Sequence, residues 1–154
     1  MSRNNASSQQ MMTLRGHHFL CSLHYQGAGY STNFTDNFTQ HMREVRANRV
    51  THVEISPMAD AICQACPSLQ ADQQRCEYQD SVTRRDRALL DAMGWAAGDV
   101  LDLEAAQRDV LARREELMKD VCPGCEWLPR CLEKGPHGIG SPLHRERAYQ
   151  EEPR

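Results

Sequence analysis

Aromatic side chains are scarce in this sequence, 6% of 154 residues, so the apolar core they can supply is modest. No apolar run approaches the roughly 20 residues that a membrane-spanning helix needs. Positive charge is not in excess: 18 Lys and Arg stand against 21 Asp and Glu, a net charge of -3. That balance removes the electrostatic reason to expect nucleic acid or an anionic membrane surface as a partner. The nearest thing to a basic patch is "RRDR", Arg84 to Arg87, and with Asp86 inside it the segment reads as a solvated helix face. The opening "MSRNNASSQQ" has no apolar h-region, so a secretory signal is not expected there. A cytoplasmic protein with reduced thiols is the expectation.

Against these absences stand seven cysteines, a high and odd number that full disulfide pairing cannot satisfy. In a reducing compartment clustered cysteines read first as metal ligands. Cys63, Cys66 and Cys76 form C-x2-C-x9-C, and Cys122, Cys125 and Cys131 form C-x2-C-x5-C. A two-residue gap lets both thiolates of a pair converge on one ion or cluster, with the intervening amides available to offset negative charge. Pro67 and Pro123 each follow a cysteine and stiffen the loop.

Thiolates suit zinc and iron–sulfur clusters alike. One closed zinc site needs four ligands, most simply Cys63, Cys66, Cys122 and Cys125, and leaves three thiols over. Two four-ligand sites need one more ligand than the thiols supply, so a histidine or an open position must complete the second. "LRGHHFLC", Leu14 to Cys21, offers both kinds of donor. On a helix Cys21 shares a face with His17 at four residues and with His18 at three. Cys21 is then the natural fourth ligand of one triplet, and His17 or His18 of the other. The same spacing suits an acid or base beside the metal, or a thiol activated by a histidine.

The pattern along the chain predicts an α+β fold, mostly helical, with about four helices, one or two short strands and two cysteine-bearing metal loops. A first helix is expected from Leu14 to Tyr25, stopped by "GAG" at Gly27 to Gly29. Ser31 or Thr32 caps a second, whose apolar stripe is Phe34, Phe38, Met42 and Val45, with His41 beside it as a packing or surface residue. "VTHVEIS", Val50 to Ser56, alternates as a strand does. Further helices are expected from Ser81 to Met93 and, capped by Asp102, to Lys119. Trp127 either shields a metal or fills the core. Residues 1–11 read as a disordered lead, 12–134 as a single cysteine-rich metal-binding domain, and 135–154 as a loose tail.

These pieces resemble a family of small bacterial and archaeal proteins known as domain of unknown function 1284. The resemblance rests on "LRGHHFLC", "GAGYS" with its Phe-bearing helix, "ICQACP", "RRDRALLDAMGWAAGD" and "VCPGCEWLPRC". It implies iron–sulfur binding, with Cys21, Cys63, Cys66, Cys76, Cys122, Cys125 and Cys131 as ligands and His17 and His18 as motif positions without an assigned role. The leading expectation is a small soluble protein holding one or two iron–sulfur clusters of the 4Fe-4S type. It would act in electron transfer with a redox partner, or in cluster-dependent catalysis on a small-molecule substrate. A zinc-stapled interaction module is the first alternative, and a thiol enzyme using Cys21 the second.

Overall fold

The computed structural model describes residues 11–27, 31–72, 74–125 and 127–143. The elements run β1 (Met11–Leu14), α1 (His18–His24), α2 (Thr32–Arg46), β2 (His52–Ile55), a short 3-10 turn (Cys63–Ala65), α3 (Gln79–Met93), β3 (Val100–Asp102), α4 (Leu103–Ala112), α5 (Arg114–Val121) and α6 (Leu128–Lys134). The fold is α+β and mostly helical, as expected, with six helices and three strands among the described residues. The strands form one sheet in the order β1-β2-β3, β1 parallel to β2 and β3 antiparallel to it. A parallel pair requires a crossover, and α1 and α2 supply it.

The sheet's inner residues, Leu14, Val53 and Ile55, meet Phe19 and Leu23 of α1, Leu103 and Val110 of α4, and Leu117 of α5 in one core. The α2 stripe is buried at all four expected positions, and the Ser31 side chain accepts from the Phe34 N–H at 3.1 Å as the cap. Asp102 caps α4 in the same way, accepting from the Ala105 N–H at 2.9 Å. Among the described residues no helix is long and apolar enough to cross a membrane.

Several boundaries differ from expectation. Leu14 closes strand β1 instead of opening a helix, because Met12 and Leu14 alternate inward and their backbone pairs with Val53 and Ile55. Met11 therefore belongs to the sheet, while residues 1–10 lie outside the described residues. Of the "GAG" turn, only Gly27 is described. The fourth expected helix breaks at Arg113, whose Nη1 donates to the Ala92 carbonyl at the end of α3 at 2.7 Å. The break lets α5 pack against α3. The second cysteine loop is partly helical, since α6 starts with Pro129 in its first turn, where a missing N–H costs nothing. Within the expected loose tail, Gly138 and residues 140–142 are buried and Ile139 is partly buried. The Gly138 N–H donates to the Leu23 carbonyl at 2.8 Å and the Ile139 N–H to the Tyr25 carbonyl at 3.0 Å, which ties this segment to the end of α1. Residues 144–154 lie outside the described residues.

His24 closes α1 as a buried neutral imidazole. Its Nδ1–H donates to the Leu20 carbonyl at 2.8 Å, and Nε2 accepts from Arg114 Nε at 2.8 Å. Burial above all, and then the Arg114 charge, lower it to about 4. A folded-state value below the unfolded one means that the unfolded chain binds the extra proton first. Stability is therefore complete above about pH 6.5 and falls as the pH is lowered toward about 4. The expected loss from this group is roughly 2–3 kcal/mol. Urea unfolding of the wild type and of His24→Gln across that window checks it, the variant showing the shallower slope.

Candidate metal centre and cavity

The turn between β1 and α1, Arg15 to His18, is held by two carboxylates from distant parts of the chain. Asp60, in the loop after β2, is 1% exposed. Its Oδ2 accepts from the Arg15 backbone N–H at 2.7 Å and from His18 Nδ1 at 2.7 Å. Its Oδ1 accepts from the Ile62 and Cys63 N–H groups at 2.9 and 3.0 Å. Burial alone would raise this carboxyl, but His18 and the backbone donors hold it at about 2. Asp86, on α3, accepts from Arg15 Nε at 2.8 Å, from the His17 N–H at 2.9 Å and from His17 Nδ1 at 2.6 Å. Gly16 permits this approach: a Cβ there would lie 2.5 Å from the Asp86 carbonyl oxygen.

A carboxylate oxygen only accepts, so each short contact places an imidazole proton on Nδ1, and in a neutral ring Nε2 is then the acceptor. That is the arrangement by which a carboxylate orients a metal-ligating histidine, and equally by which it orients a proton carrier. Ligand atoms of His17, His18 and Cys21 lie within 4.8 Å of one another, as do those of His18, Asp60 and Cys63. Burial and the neighbouring His18 lower His17 to about 4 against the pull of Asp86, which keeps the ring neutral near pH 7.

The cysteines gather in two groups. Cys21, on α1, is raised by burial and then by Cys125, Cys131 and Cys122, so it lies within electrostatic reach of three thiols from a distant segment, although among the described residues no three cysteine sulfurs lie within 4.8 Å of one another. Cys122 ends α5, the Cys125 N–H donates back to its carbonyl at 2.9 Å, and Cys131 follows on α6. Burial, with Cys125 and Cys131, pushes the Cys122 thiol up to about 12 while Arg85 and Arg114 oppose the shift. In the other group the Cys66 N–H donates to the Cys63 carbonyl at 2.9 Å, and the Cys66 thiol is raised by burial and by Cys76. Burial and Asp60 raise Cys63. All seven cysteines are free of disulfides. Raised thiols are poor nucleophiles without an activating charge, which weighs against Cys21 as an unassisted thiol enzyme.

Six of the seven thiols, all but Cys122, line one cavity of about 610 Å³ together with Arg15, His17 and His18. Tyr25, Phe34 and Phe38 form its apolar wall, with Tyr25 and Phe38 stacked at 3.8 Å between ring centroids. Trp127 also lines the cavity, with the Arg130 guanidinium 5.5 Å from its ring.

The sequence reading missed Arg15, Asp60, Asp86 and Arg85. "RRDR" is not simply a solvated face, because Asp86 is buried. The available signal was its spacing: Asp86 lies four residues after Val82 and three before Leu89, on the inward stripe of α3. Asp60 carries no comparable signal.

No curated protein and no solved structure matches the chain. A family model described as "Protein of unknown function (DUF1284)" matches residues 29–131, a stretch that begins after "LRGHHFLC" and holds the six cysteines from Cys63 to Cys131. With more than half of its length matched, the chain belongs to the DUF1284 family.

Proposed function

We propose that this protein binds an iron–sulfur cluster of the 4Fe-4S type through Cys21, Cys122, Cys125 and Cys131, and that the cluster serves chemistry on a small molecule held in the adjoining cavity. The observation that carries the reading is that Cys122, Cys125 and Cys131 of the α5–α6 segment lie close enough to Cys21 of α1 to raise its thiol, and that three of these four thiols line a cavity of ligand size. The donor set fits: four free thiols complete a cubane cluster, and the Arg85, Arg114 and Arg130 charges oppose the cost of their ionisation. A structural zinc ion takes the same ligands but needs no cavity, whereas Cys21, Cys125 and Cys131 line one.

Cys63, Cys66 and Cys76 form a second, three-thiol centre in this reading, with His18 as its histidine ligand or with one position left open. An open iron would bind substrate. The cluster, when bound, supplies electrons or Lewis acidity. His17, held by Asp86, accepts or returns a proton at Nε2 at the cavity wall.

The test is anaerobic purification with determination of iron, acid-labile sulfide and zinc on the same sample, for the wild type and for Cys125→Ser and Cys66→Ser. Matched iron and sulfide are expected, with each variant losing one centre and keeping the other. Colourless protein with stoichiometric zinc and no sulfide, prepared without oxygen, would overturn the cluster reading.

A further inference from the structure

The cavity beside the thiols has a charge pattern that the whole chain does not share. The chain carries a net charge of -3, yet among the described residues the cavity is lined by Arg15, Arg85, Arg130 and Lys134 and by no carboxylate. Asp60 and Asp86 stand behind the imidazoles they hold. Two of these cations have unused donors in buried positions. The Arg15 side chain is 1% exposed, and its Nη2 has no hydrogen-bond partner. Arg85 Nε is also buried without a partner, while its Nη2 donates to the Gly124 carbonyl at 3.3 Å. A buried guanidinium nitrogen left unpaired costs stability, and such groups are kept satisfied in folded proteins by protein, water or ligand.

We infer that the cavity binds a small organic carboxylate, its acid group drawn to the Arg15 and Arg85 guanidinium groups and its apolar body seated against Tyr25, Phe34 and Phe38. The inference rests on the small-molecule part of the reading above and is independent of which metal the thiols hold. Charge selects a monoanion. The Arg15 charge is already offset by Asp86 at 2.8 Å, so at the buried end Arg85, which also acts on the Cys122 thiol, is the cation an incoming ligand meets. Arg130 and Lys134 are exposed at the cavity edge, where they attract an anion without being desolvated. Guanidinium groups present N–H donors in a planar fork that matches a carboxylate. The aromatic wall gives no hydrogen-bonding reason to prefer a polar body.

Calorimetric titration of the anaerobically purified full-length protein with acetate, butyrate and phenylacetate, each against its neutral amide and against inorganic phosphate, tests the inference. Iron and sulfide are measured on the same samples. At least one carboxylate is expected to bind about tenfold or more tightly than its amide. Arg85→Gln is expected to abolish that preference at whatever iron and sulfide content the variant retains, and Arg15→Lys, which keeps the charge beside Asp86, to weaken it. No carboxylate binding above its amide, or phosphate binding above every carboxylate, would overturn it. Loss of iron in Arg85→Gln with carboxylate binding intact would also overturn it, showing the arginines to be counter-charges for the sulfur centres. Metal-free protein that still prefers carboxylate over amide would uphold this inference while the cluster reading failed.

Discussion

Replacing Asp60 with Ala is expected to destabilise the protein by about 3–5 kcal/mol, a large part of the 5–15 kcal/mol that holds a typical domain folded. The magnitude follows from what the carboxylate does. It is buried and takes four hydrogen bonds, from the N–H groups of Arg15, Ile62 and Cys63 and from His18. Removing it strands three backbone donors and an imidazole where water does not reach them readily, and each stranded donor carries its own desolvation cost. Asp60→Asn is expected to cost less but not to be neutral, because an amide offers one accepting oxygen where two are used. Urea unfolding reads the loss as a shift in midpoint at unchanged slope. The same variant separates a positioning role from a merely structural one. With Asp60 gone, His18 loses the partner that sets its tautomer, and the Cys63 turn loses its anchor. On the proposed two-centre reading, metal at the Cys63, Cys66 and Cys76 group should therefore fall before metal at the Cys21 group. A midpoint shift equivalent to less than about 1 kcal/mol would mean that the buried pairing is far weaker than its geometry implies.

Gly16→Ala is the second substitution with a large expected effect, about 2–3 kcal/mol. Its added methyl would stand 2.5 Å from the Asp86 carbonyl oxygen and 2.8 Å from the Asp86 Cα, both backbone atoms that no rotamer change can move. Either the β1–α1 turn or α3 must shift, and the hydrogen bonds from Asp86 to Arg15 and His17 lengthen with it. The shared proton between His17 Nδ1 and Asp86 gives a direct readout, because a strong imidazole N–H to carboxylate bond produces a far-downfield proton resonance. That signal is expected in the wild type and lost or shifted upfield in the variant. A variant that kept both its stability and that resonance would show that the turn tolerates a Cβ after all.

The two substitutions share a reason. Both break the link that ties the N-terminal turn to carboxylates 45 and 69 or more residues away along the chain. Such contacts are invisible in local pattern, yet they place the histidines and the cavity relative to the thiols.

The sequence by itself determined those features that depend on neighbours within a few residues. The α2 stripe of Phe34, Phe38, Met42 and Val45, the caps at Ser31 and Asp102, and the alternating Val53 and Ile55 of β2 all follow from a helical or extended repeat read locally. The cysteine triplets were legible for the same reason, since C-x2-C is a local spacing. Strand β1 was not, because four residues of alternation are outweighed by the helix-like run after them until β2 pairs with Met11 to Leu14. Nor was α6, a seven-residue helix with a proline in its first turn. Only the tertiary structure decided that Cys21 lies within electrostatic reach of Cys122, Cys125 and Cys131, because α1 meets the start of α5 through His24 and Arg114, about ninety residues apart. It alone also decided that the aspartate of a charged "RRDR" run is buried, since a single side chain reaching inward from an exposed helix is repaid only by the partners waiting there, Arg15 and His17.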